Sequence, residues 1–126
     1  MFFYQSSKNV NELNLKDFKI NSLKTQVIPN DGESSLVIFY AHWCPHCTNK
    51  NTINFVEALG SVLPKKTGIK VCAFNAEASD KHRGIAYNVN VRGFPTFSFY
   101  NKKNGWNNYR GPMEVKPLVE FLLSKS

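Results

Sequence analysis

A chain of 126 residues and 14.4 kDa is the size of one domain, and its 42% hydrophobic content is enough to bury a core without staples. No apolar run approaches the roughly 20 residues that cross a bilayer, and three cysteines, a small and odd number, do not suit a disulfide-stapled secreted scaffold. The net charge of +7 falls in the second half: residues 1–63 balance five lysines against five carboxylates, while residues 64–126 carry eight lysines, three arginines and four acidic side chains. A basic face can attract acidic proteins, or nucleic acid without sequence preference, but here it reads first as solvated surface. The apolar opening turns polar at Gln5, too soon for a signal-peptide core. The expectation is a soluble, non-secreted chain, cytoplasmic or in a viral or organellar setting, with neither membrane nor nucleic acid as partner.

Residues 1–9 read as a loosely attached arm before a domain spanning 10–126. Residues 10–15 suit a short first strand. Phe18, Ile20, Leu23 and Val27 recur at near-helical spacing and predict a first helix over 17–27. Pro29-Asn30-Asp31-Gly32 is a turn by composition. Residues 36–40 are continuously apolar, as in a strand buried on both faces. A helix over 45–60 follows, with Ile53, Phe55, Val56 and Leu59 on its core side. A buried strand is expected over 69–74, then a short helix over 79–87 capped by Ser79. Strands over 96–100 and 106–110 flank the turn-rich Asn101-Lys102-Lys103-Asn104-Gly105. The last helix covers 114–124, with Pro117 in the first turn, where a missing N–H is tolerated. Crossover helices between strands imply a parallel section of sheet, and the last two strands an antiparallel hairpin. The fold class is α/β, a central mixed sheet with helices on both faces.

Trp43-Cys44-Pro45-His46-Cys47 lies at the junction of the 36–40 strand and the 45–60 helix. Two cysteines at this spacing, in a strand–helix–strand context, read as a redox pair. At a helix start, unpaired N–H groups and the helix dipole favour a thiolate on Cys44, and a protonated His46 adds a positive charge beside it. Cys44 is therefore the candidate nucleophile, with His46 tuning it. Cys47, one turn further in, is the candidate resolving thiol. Cys72, in a buried strand, is expected to be inert.

Phe39-Tyr40-Ala41-His42-Trp43-Cys44-Pro45-His46-Cys47, Val91-Arg92-Gly93-Phe94-Pro95-Thr96 and Tyr109-Arg110-Gly111-Pro112 together resemble the thioredoxin superfamily over residues 10–124. The resemblance is strongest to the catalytic domains of protein disulfide isomerases, and the Pro-His pair between the cysteines is similar to that of the DsbA-type periplasmic oxidants of bacteria. It implies a thioredoxin-like fold and thiol–disulfide exchange on protein or peptide thiols and disulfides. The bias is oxidising, towards making or reshuffling disulfides, and a separate redox partner resets the pair. It further implies a cis proline at Pro95 against the cysteines, with Phe94 offering backbone hydrogen bonds to an extended substrate and Trp43 forming part of the substrate surface. His42 would be exposed nearby, and Arg92 a surface charge. No cofactor or metal is implied.

The family pattern breaks in places. Its buried carboxylate, six residues before the first cysteine, corresponds to Ile38, and the lysine often paired with it to Ala73. An arginine often present after the Tyr-x-Gly-Pro segment is replaced by Met113, and a helix-kinking proline by Thr52. Cys47 is thus left without its usual base, so that proton transfer falls to water or His46. Two other readings compete with oxidative exchange: a binding module using Trp43 and Phe94 with slow or no turnover, and a thioredoxin-type reductase. A metal site at Cys44, Cys47 and a histidine would lack a fourth ligand.

Overall fold

The computed structural model describes residues 2–126; Met1, at the head of the expected arm, lies outside them. Strands β1 (Asn11–Glu12), β4 (Ser35–Tyr40), β5 (Lys70–Asn75), β6 (Thr96–Asn101) and β7 (Gly105–Tyr109) form one sheet in the order β1-β5-β4-β6-β7. β5 pairs in parallel with both β1 and β4; β6 pairs antiparallel with β4 and β7. Helices α1 (Pro45–Thr48), α2 (Lys50–Thr67), α3 (Asp80–Asn88) and α4 (Val115–Ser124) make the crossovers and close the chain. This is the expected mixed α/β sheet.

Alternation along the strands sorts side chains into two apolar layers. Leu36, Ile38, Val71, Ala73, Phe97 and Phe99 join Val56, Leu59 and Leu63 of α2 and Leu118 and Leu122 of α4 in one cluster. Val37, Phe39, Cys72 and Phe74 join Ala86 of α3 and the buried Phe18 and Val27 in the other. Every residue of β4 is buried, as its unbroken apolar run requires. Ser79 caps α3 as expected, accepting from the His82 N–H at 3.3 Å, and Pro117 sits in the first turn of α4.

Three expectations fail for physical reasons. The helix over 17–27 is absent: a 3-10 turn (Leu15–Asp17) leads into a hairpin of β2 (Phe18–Ile20) and β3 (Val27–Pro29). Two of the four residues that suggested a helix are exposed, Ile20 at 56% and Leu23 at 78%. Distant partners claim the backbone instead. The Val27 N–H donates to Asn88 Oδ1 (2.7 Å), the Trp106 indole donates to the Val27 carbonyl (2.7 Å), and Asn21 Oδ1 accepts from the Thr25 and Gln26 N–H groups in the turn.

The helix over 45–60 is in fact two helices. Asn49 leaves helical geometry (ψ 153°) and caps α2 through the Thr52 N–H at 2.8 Å. Gly60 does not end α2, which runs on past Pro64 because Leu63 continues its buried stripe; Gly68, left-handed at φ 74°, stops it. Nor is the arm loose. Tyr4 is 2% exposed, the Phe3 N–H donates to the Tyr40 hydroxyl (3.1 Å), and Ser7 Oγ donates to Glu57 (2.9 Å).

Gly60 is where the arm crosses α2: a Cβ there would lie 2.4 Å from the Asn9 carbonyl oxygen. Gly60→Ala should therefore lower the urea midpoint by the equivalent of about 1–3 kcal/mol through overpacking, although alanine is the better helix former by about 1 kcal/mol. A raised midpoint would show that the arm does not clamp the helix.

Candidate redox site

The Tyr40 carbonyl at the end of β4 accepts from the Ala76 N–H (2.8 Å), and the Cys44 N–H bonds back to the Ala41 carbonyl (3.1 Å). This tight exit turns Trp43 outward, 60% exposed, and makes Cys44 the capping residue of α1. Pro45 takes the first helical position, where its missing N–H costs nothing. The Cys44 carbonyl accepts from the Cys47 and Thr48 N–H groups, each at 3.1 Å, which holds the second cysteine one turn inward.

Both thiols are free and shielded, Cys44 at 6% and Cys47 at 2% exposure. The Cys44 thiol donates to the Phe94 carbonyl at 3.7 Å, and the Phe94–Pro95 peptide bond is cis. The Trp43 and Phe94 rings meet edge to face at 6.1 Å. The exposed His46 lines a cleft of about 490 Å³ with Phe94, Pro95, Thr96, Tyr109 and Arg110. All six residues singled out from the sequence, Trp43, Cys44, His46, Cys47, Phe94 and Pro95, thus converge on one end of the sheet. α1 is a single turn rather than the start of a long helix, and Cys44 makes no side-chain capping bond to it. The helix-end contribution is correspondingly confined to that turn.

Burial pushes the Cys47 thiol up to about 12, and the neighbouring Cys44 thiol adds to the rise. Cys72 lies in the other apolar layer, across the sheet from the pair, and burial pushes it up to about 11. His42 is half-buried, its Nδ1 within hydrogen-bond distance of the Asn75 side-chain amide, 3.2 Å from Nδ2 and 3.5 Å from Oδ1. Arg92 donates to the Tyr87 and Val91 carbonyls and stacks on the Tyr87 ring at 4.1 Å. Among the described residues, no group of three or more His, Cys, Asp or Glu could hold a metal ion.

Ile38 and Ala73 are fully buried apolar neighbours behind the pair. The next residue across the sheet is a carboxylate that sequence reasoning missed: Glu12 on β1 stands in register with Ala73. Its Oε1 accepts from the Tyr40 hydroxyl (2.7 Å) and the Tyr4 N–H (3.0 Å), while its buried Oε2 has no hydrogen-bond partner among the described residues. An unpaired buried acceptor costs about 1–3 kcal/mol. Burial holds the Glu12 carboxyl above the usual carboxylate range, against the lowering effect of its two donors. The only signal in the sequence was an acidic residue between Val10 and Leu13 in a predicted strand, and without the register its direction could not be read.

Two predictions follow from these environments. In a Cys44→Ser variant, iodoacetamide should modify Cys47 slowly, with no inflection near the ordinary thiol value of about 8.5; an inflection there would mean a solvated Cys47. For Glu12 the folded carboxyl binds its proton more tightly than the unfolded one, so its contribution to stability is complete below about pH 4.3 and is lost as pH rises through the folded value. Urea unfolding of wild type between about pH 4 and 8 should therefore show a decline that Glu12→Gln lacks. Parallel profiles would refute it.

The thioredoxin family model matches residues 10–124. Protein disulfide isomerase-like 2-1 of Oryza sativa subsp. japonica is 35% identical over 100 residues, 79% of this chain and 26% of its own. Protein disulfide-isomerase A6 of Mus musculus is 35% identical over 122 residues, 96% of this chain and 25% of its own. The chain thus spans about a quarter of the length of these relatives. Among solved structures, the J-Trx1 fragment of ERdj5 superposes with a TM-score of 0.70 at 16% identity, covering 96% of this chain and 53% of that one. The first thioredoxin domain of mouse protein disulfide-isomerase A4 gives 0.62 at 23% identity, covering 94% and 86%; at such identities the likeness is one of fold. The chain belongs to the thioredoxin family.

Proposed function

We propose that this domain is a thiol–disulfide oxidoreductase that forms or reshuffles disulfides in protein substrates by cycling Cys44 and Cys47 between dithiol and disulfide. The observation that carries this reading is the asymmetry of the pair. The Cys44 thiol donates to the carbonyl of Phe94, a residue that lines the cleft, whereas burial keeps Cys47, one turn further along the chain, a neutral thiol. The similarity to protein disulfide isomerases supports the same chemistry.

In the oxidising direction, a substrate thiolate attacks Cys44 Sγ of the Cys44–Cys47 disulfide. A substrate–Cys44 disulfide forms, and Cys47 leaves with the electron pair and takes up a proton. A second substrate thiolate then attacks the substrate sulfur of that mixed disulfide and expels Cys44. Two electrons have passed to the protein, and a disulfide-bearing redox partner removes them to complete the cycle. In reshuffling, the Cys44 thiolate attacks first, and Cys47 resolves an intermediate that stalls. Trp43 and Phe94 form the apolar rim on which the substrate chain rests, Pro95 shapes it, and His46 supplies positive charge beside Cys44 when protonated.

Cys47→Ser should accumulate mixed disulfides between Cys44 and protein partners, visible as reductant-sensitive bands on non-reducing gels, and Cys44→Ser should accumulate none. Wild-type protein should also oxidise a reduced dithiol peptide, or isomerise a scrambled substrate. If nothing is trapped and nothing turns over, the Trp43–Phe94 surface is a binding module and the oxidoreductase reading fails.

A further inference from the structure

The disulfide-exchange reading leaves one proton without a destination. Cys47 must give up its proton before it can attack the Cys44 mixed disulfide, and Ile38 and Ala73 beside it offer no acceptor. Glu12 is a half-buried carboxylate on the same face of the sheet, its Oε2 shielded from solvent, and the cycle as described makes no use of it.

Three observations tie Glu12 to that step. Through Ala73, the register places it two strands from Ile38, on the face that carries Cys47, Tyr4 and Tyr40. Its Oε1 is engaged by Tyr40, which lies in one apolar cluster with Cys47, while its buried Oε2 has no partner among the described residues. Glu12 also lines a cleft of about 390 Å³ with Tyr4, Ser7 and Asn14, which gives a proton a way out to water.

We propose that Glu12 is the positioning residue that receives the Cys47 proton during the resolving step, by way of the polar edge formed by Tyr4 and Tyr40, and returns it to water through the arm-side cleft. The step balances. The Cys47 thiol and the Glu12 carboxylate become a Cys47 thiolate and a Glu12 carboxylic acid. The Cys47 sulfur then forms a bond to Cys44 Sγ, the Cys44–partner bond breaks, and the partner leaves with the electron pair and is protonated by solvent. The titratable groups around Glu12 are consistent with this. Burial, and next Glu57, hold the Tyr4 hydroxyl in its neutral form; Glu12 and Cys47 act on Tyr4 in the same direction, so it senses both ends of the transfer. Burial and then Glu12 likewise keep Tyr40 neutral. A carboxyl raised by burial is also a better match for a thiol proton than a solvated one.

Oxidised glutathione is a suitable probe, because its reaction with reduced protein has two phases: formation of the Cys44 mixed disulfide, then closure by Cys47. Quenched samples resolved by mass report both. In Glu12→Gln the first phase should be unchanged, and the second should slow by about 100-fold at neutral pH, the low end of what a positioned proton acceptor contributes. The wild-type second phase should rise with pH through an inflection above the ordinary carboxylate value of about 4.3. Glu12→Gln should lose that inflection and Glu12→Asp should keep it, with part of the rate restored. An unchanged second phase and profile in Glu12→Gln would overturn the proposal. Should that variant not fold, a flat wild-type profile across the carboxylate range would overturn it equally. If the first phase is missing from wild type, it is the Cys44 reading that fails.

Discussion

Six consecutive residues, Ser35–Tyr40, are shielded on both sides while they pair with parallel β5 and antiparallel β6, and little freedom remains in where the chain goes next. A slip of one residue would carry Leu36, Ile38 and Tyr40 into the opposite layer and bring Val37 and Phe39 across in exchange. The register is therefore held by both cores at once. Because β4 ends in a fixed place, the turn through Ala41 delivers Cys44 to the rim of the sheet, and β6, paired to the same strand, brings the Phe94–Pro95 segment up to meet it.

The same burial divides the labour between the two sulfurs. Both sulfurs belong to one apolar layer, but Cys47, one helical turn beyond Cys44, is the one whose ionised form burial heavily penalises. That layer is not wholly apolar. Its edge holds Tyr40, Tyr4 and Glu12, brought together by the docking of the chain's first residues over the end of the sheet. The arm thus completes the polar surroundings of the core behind the site, held by the bonds of Phe3 to Tyr40 and Ser7 to Glu57 where it crosses closely over Gly60.

Much of this was legible in the residues alone. The continuous apolar runs mark β4 and β5, and the Cys-Pro-His-Cys spacing with Phe94-Pro95 further on marks the site, because each depends on local pattern or on a motif carried intact. Phe18, Ile20, Leu23 and Val27 misled because spacing cannot tell a helix from a hairpin whose backbone is claimed by Asn88 and Trp106, some 60 to 80 residues away. Asn49 misled because a cap within a helical run looks like any other asparagine until its side chain is seen to accept from the Thr52 N–H.

The sequence by itself determined the family, the mixed α/β class and the identity of the two thiols, since these rest on short-range pattern and on residue chemistry. Only the tertiary structure decided that Cys47 is held neutral, that Cys44 faces the Phe94 carbonyl, and that a carboxylate from β1 stands beside the position left apolar by Ile38 and Ala73. The reason is physical. Burial and register arise between strands distant along the chain, and Glu12 meets Ala73 only because β1 adds to the edge of a sheet whose neighbouring strand lies some 60 residues later.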